Sequence, residues 1–478
     1  MSQGFESIIG LEVHAQLATD SKLFTCSGTK AGEAPNTLTD PVTLGLPGAL
    51  PVLNKRAVEY AIRLGLATRC SIRRESIFAR KHYFYPDLPK GYQISQYDKP
   101  ICENGMLNVR VGDKTVDIRI HRIHLEEDAG KNIHLEQEEN SIVDLNRAGV
   151  PLVEIVSEPD IRNAEEAGAY MRQLRQIVRY IGVCDGNMEE GSLRCDANVS
   201  IRPIGETKLG TKVEIKNLNS FRHVEKSIEH EIARQIAVVE QGGTINQETR
   251  LWDDVRGVTR VMRTKEYAQD YRYFPDPDLL PLIVDEDWIE RVREELPELP
   301  AETFDRFRST YRLEPYFAEI LSEEKVTSQY FDRAVALHDN PTAIANWITT
   351  ELFGRLNKEG LDMSSCPVSP ENLAGLVKFI DDDIISGKIA KTVFDEMFAS
   401  SATPDTIIES RGLKQISDPA AIRAVAEKLI AANPGQVSAF REGKTKMLGF
   451  FVGQLMKETG GKANPQMVND ILLELLNG

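Results

Sequence analysis

The sequence predicts an α+β chain, on three observations. Residues 1–285 read as short runs of alternating apolar and polar residues between Gly, Pro and Asn turns. From about 302 to 400 the apolar residues recur at helical spacing, and the remaining tail is a second, smaller helical unit. An antiparallel sheet followed by two helical domains is therefore expected, with limits at 1–293, 294–405 and 406–478.

The first element, IGLEVHAQL, alternates Leu11, Val13, Ala15 and Leu17 with Glu12, His14 and Gln16. A period of two puts Glu12 and His14 on one face of a strand. A carboxylate and an imidazole at that spacing can share a metal ion, or can simply face solvent. The segment 117–131, DIRIHRIHLEEDAGK, alternates through Ile118 and Ile120 and then shifts parity to Ile123 and Leu125. That shift predicts a bulge near His121–Arg122. The strand ends in Glu126, Glu127 and Asp128, which repel one another unless water or a cation separates them; alternation leaves Glu126 and Glu127 both open as ligands. In GVPLVEIVSEPD (149–160), Glu154 sits among Leu152, Val153, Ile155 and Val156. An ionised carboxylate there is costly unless it binds a metal or pairs with one of the many arginines.

Helices are expected over 163–182 and 222–241. Between them, SLRCDANVSIRP (192–203) sets Arg194, Asp196, Asn198 and Ser200 on one side, and KVEIKNL (212–218) adds Glu214 and Lys216 to a polar face. Strands with apolar backs and charged fronts make a sheet covered on one side and open on the other. Acids on the open face suit Mg²⁺, which prefers oxygen ligands and bridges phosphates. The acidic stretch 285–302, with Pro297 and Pro300, reads as a junction, Ser369-Pro370-Glu371 as a helix start and 431–436 as a helix break.

Composition narrows the class. The 478 residues are 41% hydrophobic and 27% charged, as in an ordinary globular protein. No apolar run approaches the roughly 18 residues that span a bilayer, and the first residues lack the pattern of a signal peptide. Six cysteines without a C-x-x-C pair give neither a zinc ribbon nor a disulfide framework, and fit a reducing, cytoplasmic setting. The net charge of −16 is uneven. Residues 411–478 hold nine Lys/Arg against six Asp/Glu, and the remainder 48 against 67. A mildly basic tail leaves room for a nucleic-acid contact on an acidic body. Gly443-Lys444-Thr445 fails as a phosphate loop because position 438 is Ser, and no G-x-S-x-G occurs. If the chain has an ATP site, that site must then use the carboxylate face.

IGLEVHAQL, RKHYFYPDLPKGYQISQYD, LEEDAGK, DLNRAGVPLVEIVSEPDIR, MEEGSLRCDANVSIRP, EIKNLNSF and DYRYFPDPDLLPL occur in this order over roughly residues 8–282. As a set they resemble the B-subunit family of bacterial aspartyl/glutamyl-tRNA amidotransferases, and the tail from Gly443 resembles that family's C-terminal domain. The resemblance implies a glutamine-synthetase-like cradle, a helical domain and a helical tail that grips tRNA. It implies a heterotrimer with an amidase A-subunit and a small C-subunit, and action with ATP and Mg²⁺ on tRNA(Gln) or tRNA(Asn) charged with Glu or Asp. Carried over by motif, the Mg²⁺ ligands are Glu12, His14, Glu127 and Glu154; Lys81 faces the reaction centre, and Glu190, Arg194 and Asp196 contact nucleotide or metal. Many family members carry a four-cysteine zinc site with a C-P-V-C element; here that element is Asp40-Pro41-Val42-Thr43 and only Cys26 remains upstream, so no zinc is expected. Two other readings fit parts of the chain. One is a non-catalytic tRNA adaptor, which leaves Glu154 without a purpose; the other is a ligase of free amino acids, which aminoacyl-tRNA dependence would exclude.

Overall fold

A computed structural model of the chain describes residues 4–112, 114–134, 140–264, 271–416 and 418–477. The chain divides into two units, Met1–Leu299 and Pro300–Gly478.

The first unit is built on a twelve-stranded sheet. Seven strands carry the polar face: β1 (Phe5–Gln16), β2 (Phe78–His82), β3 (Tyr92–Gln96), β4 (Lys114–Glu127), β5 (Pro151–Ser157), β6 (Leu193–Pro203) and β7 (Val213–Leu218). Their spatial order is β7-β6-β1-β5-β4-β3-β2. Strands Glu248–Asp253 and Val258–Thr264 extend the β7 end and Phe274–Pro275 the β2 end, while Cys102–Val111 pairs with β4. The pairing is antiparallel except between β7 and Glu248–Asp253, where it is parallel, so the expected all-antiparallel sheet is corrected at that edge. Helix α3 (Phe221–Glu240) separates these two strands in sequence and supplies the crossover that a parallel pair requires.

Alternation is realised strand by strand. Leu11, Val13 and Ala15 of β1, Ile123 and Leu125 of β4, Val153 and Ile155 of β5, and Cys195, Ala197 and Val199 of β6 all enter one buried core. Helices α1 (Lys55–Ala67), α2 (Ala164–Tyr180) and α3 contribute Ile62, Leu174 and Ile228 to the same core. The bulge falls where the parity shift predicts it. Opposite β5, Val156 pairs with Arg122 but the adjacent Ser157 pairs with Ile120, so His121 is the extra residue. Its effect is to turn His124 and Glu126 onto the polar face.

Helix Glu286–Glu294 buries Ile289 and Val292 in the first unit's core, so half of the stretch expected as a junction is taken up by this helix, and the division between the units at Leu299/Pro300 falls inside that stretch. The second unit holds two apolar clusters among the described residues, one drawn from 307–408 around Phe331 and Phe394, the other from 422–476 around Phe451 and Leu472. Ser369 caps helix Pro370–Asp381 by accepting from Asn372 N, with Pro370 at the first helical position. Helices Pro419–Ala432 and Pro434–Arg441 meet at Asn433, inside the expected break. Among the described residues no helix is long and apolar enough to cross a membrane.

Asp40 closes the loop between β1 and α1. Its carboxylate accepts from Thr25 Oγ1 (2.7 Å), Thr43 Oγ1 (2.8 Å), Val42 N (2.8 Å) and Thr43 N (3.0 Å). Although burial opposes it, these donors hold the carboxyl down at about 2. A depressed folded-state value stabilises the fold above the unfolded pKa of 3.8 and loses that contribution as pH falls toward 2. Asp40→Ala should therefore lower the midpoint of thermal unfolding at pH 7. The gap from wild type should shrink steadily between pH 4 and pH 2, which melting curves across that range would check.

Candidate active site

The register brings together residues far apart in sequence. Across four adjacent strands, Arg194 of β6 lies opposite His14 of β1, His14 opposite Glu154 of β5, and Glu154 opposite His124 of β4. Glu126, two residues along β4, completes the group. His14 Nε2 lies 3.4 Å from Glu154 Oε2 and 3.9 Å from Glu126 Oε1. His124 Nε2 lies 3.5 Å from Glu126 Oε2 and 3.7 Å from Glu154 Oε2. Ser95 Oγ donates to Glu126 from the neighbouring strand. One donor atom each from His14, Glu126 and Glu154 lie within 4.8 Å of one another, a spacing that can hold a metal ion.

The electrostatics keep these acids charged. Burial pushes Glu154 up, but His124, His14 and Lys81 more than offset it and hold the carboxyl well below the usual range. Glu126 is likewise lowered against its burial, chiefly by Lys81 and His124. Burial acts on Lys81 in the opposite sense, yet Glu126, Tyr273 and Glu154 raise its ammonium above the ordinary lysine value. Lys81 is thus a half-buried cation beside the buried Glu126 and the half-buried Glu154, with its Nζ 5.1 Å from the Tyr271 ring centroid. Arg194 Nη2 contacts both oxygens of Asp128 at 3.0 Å, and Gln16 Nε2 donates to the same carboxylate.

A second acidic group lies further toward β7. Glu12, Asp196 and Glu214 also bring one oxygen each within 4.8 Å. Lys216 Nζ sits between two of them, 2.5 Å from Asp196 and 3.2 Å from Glu214, and Asn198 Nδ2 donates to Glu12. Burial and the charges of Glu154, Asp196 and Glu214 raise the Glu12 carboxyl, so a further cation there would be welcome. An all-oxygen set is what Mg²⁺ prefers, and the mixed set around His14 accepts a wider range of divalent ions. Next to Glu12 a cleft of about 290 Å³ is lined by Ile8, Gly10, Pro159, Leu209 and Lys212.

The four ligands expected to meet at one ion are therefore divided. His14 and Glu154 stay together, Glu12 belongs to the second group, and Glu126 stands where Glu127 was expected. Glu127 follows Ile123 and Leu125 in parity and turns to the other side of β4, where Lys90 Nζ and Ile94 N donate to it. The physical reason is the bulge at His121, which fixes the parity of everything after it. Asp196 joins the second group, while Glu190 lies in an exposed turn whose backbone is held by Asn187 Oδ1 and joins neither. Sequence reasoning missed His124, buried with no partner for Nδ1 among the described residues. It read Glu214 and Lys216 only as a polar face. Their signal was the same parity, applied to facing strands instead of one at a time.

Residues 7–290 match the family model described as the GatB/GatE catalytic domain, and residues 329–476 match the GatB domain. The chain is similar throughout to curated proteins named as the B subunit of aspartyl/glutamyl-tRNA(Asn/Gln) amidotransferase. The protein of Syntrophotalea carbinolica is 55% identical over 478 residues, covering all of both chains. That of Trichlorobacter lovleyi is 56% identical over 474 residues, covering 99% of this chain and all of its own. The relative from Thermodesulfovibrio yellowstonii is 55% identical over 99% of both chains.

Proposed function

The chain belongs to the GatB/GatE family, among the B subunits of tRNA-dependent amidotransferases, which are ligases forming carbon–nitrogen bonds, and from that premise we propose that its polar sheet face activates a tRNA-linked carboxylate with ATP. One observation carries the reading: His14, Glu126, Glu154 and Lys81, from four separate strands, converge as a charged cluster on a face otherwise backed by core.

The side-chain carboxylate of Glu-tRNA(Gln) or Asp-tRNA(Asn) does not react with ammonia as an anion, because it would have to expel oxide. Transfer of the terminal phosphoryl group of ATP makes that oxygen a good leaving group. Ammonia then attacks the acyl carbon and phosphate departs, leaving the amide. The first step brings two anions together and so needs fixed positive charge. Lys81 supplies it beside Glu126 and Glu154, and Arg194, oriented by Asp128, supplies more at the opposite end of the strand row. Mg²⁺, held by His14, Glu126 and Glu154 or by Glu12, Asp196 and Glu214, would neutralise phosphate oxygens when bound. The cleft beside Glu12 suits the nucleoside end of ATP, with Lys212 near its phosphates. Glu127, locked to Lys90, supports the site from the other side of β4. Glu190 would act only through the turn that opens β6.

Ammonia must arrive unprotonated and shielded from water. No glutaminase nucleophile motif is present in the sequence, so we assign its supply to a partner amidase, the A-subunit, with a small C-subunit completing a cytoplasmic heterotrimer. Domains 1–293, 294–405 and 406–478 would act as catalytic cradle, helical connector and tRNA-binding tail.

The test is the assembled complex supplied with glutamine, ATP and each misacylated tRNA. Chelation of divalent ions should reduce amidation at least a hundredfold, Mg²⁺ should restore it, and elemental analysis should find no stoichiometric zinc. Full activity after chelation, or equal activity on free glutamate, would reject the proposal.

A further inference from the structure

Beside Lys81 the chain exposes aromatic surface that the core does not use. Tyr97 follows β3 directly and is 45% exposed. Its ring is stacked on Tyr273, with centroids 4.2 Å apart and planes within 5°. Tyr273 in turn meets Tyr271 edge-on at 6.1 Å, and Tyr271 carries the Lys81 ammonium over its face. Neither Tyr97 nor Tyr273 belongs to the buried core of the first unit. Both tie to the reaction centre by position. Ser95, two residues before Tyr97 and of the same parity, donates to Glu126, and the Tyr273 phenol is pushed up to about 12 by burial and by Glu126 and Glu154. Arg122 is the cation across the same neighbourhood: its charge reaches Tyr273, and its buried Nε has no partner among the described residues.

We propose that the Tyr97–Tyr273 stack is the subsite for the 3′-terminal nucleoside of the aminoacyl-tRNA, with the base adding to the stack and a backbone phosphate reaching Arg122. The proposal rests on the function proposed above and locates its acceptor. In a charged tRNA only the amino-acid side chain and the ribose separate the reacting carboxylate from the terminal base. That base must therefore settle at the rim of the carboxylate centre. Exposed parallel rings are the usual platform for an unpaired base, because every base has a π-face, and a guanidinium with an uncommitted N–H suits the adjoining phosphate. The alternative occupant, the base of ATP, is disfavoured by the direction of transfer. Attacking and leaving oxygens lie in line on opposite sides of phosphorus. The second acidic group lies on β1, β6 and β7, and its cleft is lined by β1, β6, the Val156–Ser157 end of β5 and residues 209–212, whereas the stack lies at β2 and β3, beyond the His14–Glu154–Glu126 group in the strand order. Acceptor and nucleotide then approach from opposite sides.

The experiment is steady-state amidation by the assembled complex carrying Tyr97→Ala, Tyr97→Leu or Tyr97→Phe. Loss of one stacked base should raise KM for charged tRNA roughly five- to a hundredfold in the first two variants. Tyr97→Phe should stay within about twofold of wild type, since it keeps the ring. KM for ATP should not change in any of them. Tyr97→Leu retains apolar bulk at an exposed position, so its result does not depend on the alanine variant folding well. An unchanged KM for charged tRNA in both ringless variants would overturn the proposal, as would a rise in KM for ATP instead. If wild type amidates without any need for charged tRNA, the underlying reading fails, whatever Tyr97 does.

Discussion

Glu154→Ala is expected to reduce amidation by the assembled complex about a thousandfold, equivalent to roughly 4 kcal/mol of transition-state stabilisation, while charged-tRNA binding stays within about twofold of wild type. The size follows from what the carboxylate holds. Among the described residues it is the one acid placed directly opposite both histidines, His14 on β1 and His124 on β4. It also stands against Lys81, so it is ionised despite its burial. Removing it leaves three basic groups facing one remaining acid, Glu126, and deletes one of three metal donors. Breaking a buried charge cluster on one side also destabilises the fold, so thermal unfolding must be compared in parallel. Glu154→Gln, which keeps the shape, separates the two effects: folding should recover while amidation stays low. Wild-type amidation by a folded Glu154→Ala complex would remove the assigned role altogether.

How much of this was legible depends on how many strands a signal needs. Within one strand, alternation identified the polar fronts of β1, β6 and β7 and the isolated acid in β5, and all of them face the same way. The helical stretches 163–182 and 222–241 were legible from local spacing alone, and the observed helices Ala164–Tyr180 and Phe221–Glu240 differ by a residue or two at their ends. What no single strand discloses is register. Only the pairing of His14 with Glu154 and of Glu12 with Asp196 divides the acids into two groups, and pairing depends on contacts more than a hundred residues apart. Glu126 against Glu127 is the instructive case. Ile123 and Leu125 already set the parity that excludes Glu127 from the polar face, but that inference becomes compelling only once the bulge at His121 is seen to be real. The motif resemblance pointed to the neighbouring acid because it carries no information about which way a side chain turns. His124 escaped for a related reason: a histidine next to a leucine in an alternating strand has no signature until an acid is found opposite it.

Lys81→Met is the second large effect, and it should differ in kind from Glu154→Ala. Methionine keeps most of the length and the apolar stem beside Tyr271 and removes only the charge. The expected loss is about a hundredfold to a thousandfold in kcat, on the order of 3–4 kcal/mol, comparable to deleting a preorganised donor at a centre of developing charge. Divalent-ion affinity should not fall, since the donors His14, Glu126 and Glu154 remain and the site has become more negative. Titration calorimetry on the two variants would show this opposition directly, with metal binding lost in Glu154→Ala and kept in Lys81→Met. The pH dependence adds an independent sign. Lys81 is the largest favourable influence lowering Glu126 and also lowers Glu154. Without it both carboxyls titrate higher, and stability that depends on their ionised forms is lost at a higher pH as the solution is acidified. The acid limb of both activity and thermal stability should therefore move upward in Lys81→Met. A variant that kept its rate within about threefold of wild type, with an unmoved acid limb, would show that the Lys81 ammonium balances charge in the folded chain but does not act on the transferring phosphoryl group.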